Sequence, residues 1–466
     1  MKSTIWLVVA AAGATGLGVG WLASAPSPEP AASHSHEVVK PATVAIDSGR
    51  HEFPMRPEDV AEDRETPAVA VDADGRVLVA WAAVSGENER TIHLARSVDG
   101  GKTFDQPSPF RKVQIYRYTS RGKDKAMAYS THALPRLTAV GDAFQLGWVE
   151  AIDGGPEVHY YVVTSTDGGK TFSQPESVHG KDASRPGFTA LAASFDGSLM
   201  ATWLDGRNGG QEPFFAQRLP GSAGFDREQL VFAGPEGKGI CPCCDLAAVK
   251  LTDGSNLVAF RNTDTGHRDI WFARAPAGGA FGPATPLSLD NWTYAGCPHD
   301  GPTLATHGSR LFAAWMSAHS GRNRVYVAGT STADLTFTPR ELSPATAGAQ
   351  GHPKLAVTEA GRLYVVWDES LGASPAATVN TGHAKEHGHD HALTGEGRAV
   401  MLAAASNDVS GFGPALTVSP RSGAFQLNPA IAIGRDGALL IAWNEIDTTG
   451  KRVVVVRREP EQETNP

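Results

Sequence analysis

The residues best equipped for chemistry in this 466-residue chain are its four cysteines, which fall in two short segments. The first is Gly239-Ile-Cys241-Pro-Cys243-Cys244-Asp245 and the second Ala295-Gly-Cys297-Pro-His299-Asp300-Gly301. Thiolate and imidazole are soft to borderline donors. Cys241, Cys243, Cys244 and Cys297 with His299, joined by His352 or His132 from neighbouring loops, would therefore suit copper or zinc. The same cysteines could instead pair as two disulfides bracing adjacent loops, worth about 2–4 kcal/mol each. One disulfide with two free ligands is a third arrangement, and a redox role for the adjacent Cys243 and Cys244 a fourth. Spacing does not separate them, because Cys-x-Cys-Cys is not the Cys-x-x-Cys pair of structural zinc modules.

A second histidine-rich tract runs Thr381-Gly-His383-Ala-Lys-Glu386-His387-Gly-His389-Asp390-His391, and His34 and His36 form a smaller one. His383, His387, His389 and His391 with two carboxylates can capture a divalent metal with weak geometric control, or simply belong to a solvated insertion. Two polar loops offer a different chemistry. Trp203-Leu-Asp205-Gly-Arg207 and Arg261-Asn-Thr-Asp264-Thr-Gly-His267-Arg268-Asp269-Ile-Trp271 carry Asp205, Arg207, Arg261, His267 and Arg268. Together with Tyr129, Arg185, Asp245 and Asp300 these could grip an anionic or sugar ligand, or form a hydrogen-bond network that braces the loops.

Such scattered residues meet only if the fold brings them together, and an internal repeat supplies the means. A short strand, a tight turn, a strand closed by an aromatic, a variable loop, a third strand, another turn and a Phe-led fourth strand recur along the chain. The closing aromatics are Trp81, Trp148, Trp203, Phe260, Trp315, Trp367 and Trp443, spaced 52 to 76 residues apart. Seven repeats of four antiparallel strands predict an all-β propeller of seven blades, with six as the alternative count. First strands are expected near Pro67, Leu134, Gly187, Asp245, Gly301, His352 and Asn428. The segments leading into them then converge on one face, and all four cysteines lie in two adjacent ones. The seventh repeat ends after three strands, and Thr43-Val-Ala-Ile46 is the expected fourth, closing the ring.

The rest of the chain sets bounds. Residues 5–25 are uncharged and largely apolar after Lys2, ending in Ala23-Ser24-Ala25, which reads as a secretory signal. At about 20 residues the stretch would also serve as an uncleaved membrane anchor, and Pro26 disfavours cleavage. Residues 26–42 read as a linker, 43–460 as the propeller and 461–466 as a tail. The protein is thus expected outside the cytoplasm, in the periplasm or at the cell surface, touching membrane only through its N-terminal segment. Net charge is −9 with no basic block, which excludes nucleic acid as a partner. A metal ion, a small or glycan ligand, or a protein remain the partners to consider.

Two of the turns, Ser97-Val-Asp99-Gly-Gly101-Lys-Thr103-Phe104 and Ser165-Thr-Asp167-Gly-Gly169-Lys-Thr171-Phe172, resemble the Asp-box (BNR) motif of the sialidase superfamily of propellers. Degenerate copies end at Phe225, Phe281, Phe337 and Phe412. The resemblance implies structural turns on the rim rather than chemistry. Sialidase activity would further imply an arginine triad, a Tyr nucleophile with a Glu partner and an Asp acid/base. The nearest match to the family's first arginine segment is Phe53-Pro-Met-Arg56-Pro57, with Arg185, Arg207 and Arg261 as other candidates. Cys241, Cys243, Cys244 and Cys297 also resemble the cysteines of exported bacterial Asp-box proteins with a Cys-x-Cys-Cys segment followed by Gly-Cys-Pro. The readings that follow are a binding protein with a Cys/His metal site, an exo-sialidase-type glycoside hydrolase, or a disulfide-braced interaction scaffold.

Overall fold

The computed structural model describes residues 49–55, 66–121, 126–130, 134–234, 239–372, 396–406, 408–420 and 422–459, with the backbone alone described for 118–121 and 126–130. Among them the chain forms seven four-stranded antiparallel sheets in succession, the last two joined by one parallel bridge between Arg398 and Phe425. The innermost strands are Ala68–Val71, Arg136–Val140, Gly187–Ala193, Ala247–Lys250, Thr303–His307, Gln350–Val357 and Phe425–Ile433. Each packs against the next, and the seventh against the first, so the fold is a closed seven-bladed propeller. The expected blade count and the expected starts of the first strands agree with it.

The second and third strands of each blade lie between neighbouring blades and are covered on both faces, so period-two alternation fades there. Val77–Gly86 is buried over its first seven residues and Leu199–Asp205 throughout. Trp148, Trp203, Phe260, Trp315, Trp367 and Trp443 are fully buried between blades. Burying each indole is worth up to about 5 kcal/mol as an upper bound. The polar end of the ring is satisfied by a carboxylate two residues along: Trp148 donates to Glu150 (3.0 Å), Trp203 to Asp205 (3.2 Å), Trp367 to Glu369 (3.0 Å) and Trp443 to Glu445 (3.4 Å). Blade five has Ser317 at that place, and Trp315 turns to Asp290 instead (3.2 Å).

The ring is closed by an N-terminal strand, but by Arg50–Pro54, which pairs antiparallel with the C-terminal strand Gly450–Arg458. Residues 43–46, expected to close it, lie outside the described residues. The physical reason for the register is aromatic and ionic anchoring. Phe53 stacks on Trp81 of blade one (5.3 Å between ring centroids) and meets Phe104 edge-on (5.7 Å). Arg50 pairs with the buried Glu445 (2.7 Å). The segment compared with a sialidase arginine motif therefore supplies, through Phe53 and Pro54, the closing strand.

The two sharp turns behave as structural devices. Asp99 accepts the amide and hydroxyl of Thr103 (2.9 and 2.6 Å) and the hydroxyl of Ser97 (2.7 Å). Burial pushes its carboxyl pKa up, but these bonds outweigh it and hold it at about 2. Gly101 has φ of 85°, and a Cβ on it would stand 2.5 Å from Leu440 of blade seven, so both conformation and inter-blade contact demand glycine. An extra hairpin, Arg117–Arg121 with Ala126–Ser130, fills the long spacing between Trp81 and Trp148.

Candidate functional site

All seven lead-in segments meet at one mouth of the central channel. They form a bowl whose lining includes Thr66, Arg136, Phe188, Thr189, Cys243, Asp245, His299, Asp300, His352, Lys354 and Asn428, with at least one residue from every blade. A common backbone device builds it. Phe188, His299, His352 and Asn428 all have φ between 48° and 55°, the left-handed region that costs a non-glycine residue about 1 kcal/mol or more. In blades three, six and seven that residue sits in a register shift, at Gly187/Ala190, Gly351/Lys354 and Leu427/Ala430. Such a bulge breaks the strand's alternation and re-aims a side chain. A second space in the channel shares Thr66, Arg136, Thr189, Asp245 and Lys354 with the bowl and adds Leu137, Leu191, Leu246, Leu355 and Ile431.

One wall of the bowl is the cysteine cluster. Cys241, Cys243 and Cys244 are buried, with Cys241 Sγ 3.6 Å from Cys243 Sγ and 3.5 Å from Cys244 Sγ. Cys243 also stands in a second group with Cys297 and His299, and within each group the donor atoms all lie within 4.8 Å of one another. Four other soft or borderline donors thus surround the Cys243 sulfur. All four cysteines are free, so the expected pair of disulfides is absent from the structure. Hydrogen bonds from Cys243 and Cys244, with Arg268 and Arg261 nearby, hold the Cys241 thiol well below its ordinary value, whereas hydrogen bonding to Cys241 raises Cys243 and burial raises Cys244. Of the three, Cys241 is the thiol whose environment most favours ionisation, which suits a soft donor.

The adjoining wall, in blades five to seven, is a buried ion network whose centre, Asp368 with Arg398, sequence reading did not single out. Asp368, fully buried, accepts from His352 Nδ1 (2.7 Å), from Arg398 Nε (2.9 Å) and terminal nitrogen, and from the Asn428 amide (3.0 Å). Burial works against ionising Asp368, yet Arg398 and His352 hold its pKa far below the ordinary carboxylate value. The His352 amide donates to Asp300 Oδ2 (2.6 Å), and Asp300, also buried, is pushed up by desolvation. At the floor Arg136 reaches Asp245 Oδ1 (3.0 Å) and Thr189 Oγ1 (3.3 Å) beside Lys354.

The remaining expected residues are dispersed. His352 was expected among the metal ligands, but its Nδ1 is engaged by Asp368 and it belongs to neither cysteine group. Arg261 does not face a ligand: it is buried, its guanidinium donating to the carbonyls of Asp300, Arg268 and Met316. Arg268 braces the second cysteine segment through the carbonyls of Tyr294 (3.1 Å) and Gly296 (2.9 Å) and donates to Cys241 Sγ (3.2 Å). Asp205 and Arg207 pair with each other (2.8 Å), Asp205 also holding the Ser184 amide and Arg207 also holding Glu228, so they lock a loop. His267 lies in its loop with Nδ1 buried, and neither it nor Arg185 lines the bowl. Tyr129 pairs across the extra hairpin from Tyr118, while His132, His383, His387, His389 and His391 lie outside the described residues.

The chain shares its fold with an ulvan lyase. No family model and no curated protein matches it. Among solved structures it is similar to a polysaccharide lyase described as an ulvan lyase, with TM-score 0.52 and 11% identity over 89% of this chain and 96% of that one. A structure of such a lyase bound to -[GlcA(1-4)Rha3S]- gives TM-score 0.51 and 11% identity over 89% and 96%. A NanB sialidase from Streptococcus pneumoniae gives TM-score 0.42 and 11% identity over 68% and 67%. At such identities the likeness to the lyase is one of fold.

The network residues left faint signals in the sequence. Asp368 follows the blade-closing Trp367, and Lys354 lies two residues after His352 in the same lead-in. What singles them out is proximity across blades, which spacing does not encode.

Proposed function

We propose that this chain is an exported binding propeller whose bowl holds a soft metal ion, copper or zinc, on Cys241, Cys243, Cys244 and one or both of Cys297 and His299. The observation that carries the reading is the convergence of the other four donors on Cys243, each group within 4.8 Å, with every thiol unpaired. Three thiolates with one imidazole suit tetrahedral zinc, and a thiolate-rich set also suits copper(I). Placement outside the cytoplasm is part of the proposal and rests on the N-terminal segment.

The hydrolase reading is not carried by the site. A sialidase-type mechanism needs three arginines converging on the substrate carboxylate, and Arg136 is the one arginine in the bowl lining among the described residues. A glycan ligand is favoured as a second reading by the fold shared with a lyase that binds an oligosaccharide. The test is metal content and free-thiol count of residues 43–460 purified without chelator, with and without 381–391. About one equivalent of copper or zinc that survives the deletion and disappears in Cys243→Ser supports the reading. Absence of metal with four oxidised cysteines overturns it.

A further inference from the structure

Lys354 is the anomaly of the bowl. It is half-buried and lines both the bowl and the channel space beside Leu137, Leu191, Leu246, Leu355 and Ile431, yet its ammonium has no hydrogen bond or ion pair to any described residue. Every carboxylate near it is committed elsewhere. Asp245 pairs with Arg136 at 3.0 Å, Asp300 takes the His352 amide at 2.6 Å, and Asp368 is held by Arg398 and His352. A partly desolvated cation with no counter-charge is costly, and the cost is relieved when a ligand brings the missing anion. Desolvation, only partly offset by Asp245 and Asp300, lowers the Lys354 pKa, in keeping with an uncompensated site.

The surroundings limit what that anion is attached to. Thr66 and Thr189 present neutral hydrogen-bonding groups, and Phe188, set in the left-handed bulge of blade three, supplies an apolar surface. One unpaired cation beside hydroxyls and a ring matches a small polyhydroxylated ligand carrying a single carboxylate. We propose that the floor of the axial bowl is a binding site for an acidic sugar, whose carboxylate sits between Lys354 and Arg136. The inference rests on the bowl being a glycan site and is independent of the metal.

The experiment is calorimetric titration of the metal-free and metal-loaded protein with D-glucuronate and D-glucose. The expected result is glucuronate binding at least tenfold tighter than glucose, weakening from 50 to 500 mM salt because the contact is ionic. Lys354→Met should lose at least tenfold in glucuronate affinity while melting no lower than the parent, since the lysine has no partner to lose. Lys354→Arg should retain binding. Equal affinity for the two sugars, or a Lys354→Met variant that binds glucuronate as the parent does, overturns the carboxylate assignment and leaves a neutral glycan site. Binding of neither sugar overturns the glycan reading with it.

Discussion

Removing the Asp368 carboxylate tests whether the bowl is held by its buried ion network. Asp368 is fully buried and bonded to Arg398, His352 and the Asn428 amide. Asp368→Ala leaves the Arg398 guanidinium, 14% exposed, without its counter-charge. Removing one member of a buried pair costs about 3–5 kcal/mol. An unfolding entropy of about 2.1 cal/mol/K per residue makes a chain of this length lose only about 1 °C per kcal/mol, so the melting point should fall by about 3–5 °C at pH 7. Asp368→Asn, which keeps the volume and one acceptor oxygen, should cost about 2 kcal/mol. Asp368→Ala combined with Arg398→Met should recover part of the loss, because no stranded charge remains. Thermal and urea unfolding of the parent, these three variants and the Arg398→Met single variant gives the answer. A single Ala variant melting within 1 °C of the parent, or a double variant as unstable as the two singles summed, would refute the argument.

Other perturbations probe the remaining parts. Burial tends to lower the His352 pKa, but Asp368 and Asp300 outweigh it and raise it in the folded protein. Its contribution is therefore complete below the unfolded value of about 6.5 and is lost as pH rises through the higher folded value. The melting gap between parent and His352→Gln should be wider at pH 5.5 than at pH 9, and an equal gap at both counts against the pairing. Gly101→Ala should cost about 1–3 kcal/mol, because its Cβ meets Leu440 at 2.5 Å, whereas Gly308→Ala has φ of 54° but open space and should cost about 1 kcal/mol. Similar urea midpoints for the two would deny the inter-blade contact. Truncation through Pro54 should expose the edge of Gly450–Arg458 and uncover Trp81, lowering the melting point and promoting self-association by light scattering. Unchanged melting and a monodisperse particle would mean the closing strand is dispensable.

The fold was legible because a propeller is written locally. The seven closing aromatics, the Gly-rich turns and the short apolar strands are each determined by neighbours in sequence, through side-chain alternation and turn chemistry. The closing strand was placed too early because strand propensity favours the β-branched 43–46, whereas the choice was made by Phe53 meeting Trp81 from the far end of the chain. Arg261 and Arg207 follow the second of the two sequence readings, a hydrogen-bond network that braces the loops. A loop arginine reads as a ligand contact until its donors are counted against the carbonyls and carboxylates around it.

The sequence by itself determined the blade count, the phase of the strands and the crowding of the cysteines into two adjacent lead-in segments. Only the tertiary structure decided that Cys243 stands between two groups of donors, that His352 belongs to Asp368 rather than to the cysteines, and that Lys354 makes no ion pair or hydrogen bond with the described residues. The reason is geometric. Residues such as Arg136 and Asp245, 109 positions apart, touch because the ring closes and left-handed bulges turn the lead-in segments toward its axis. Contact across blades depends on the radius and closure of the whole ring, which short-range periodicity does not specify.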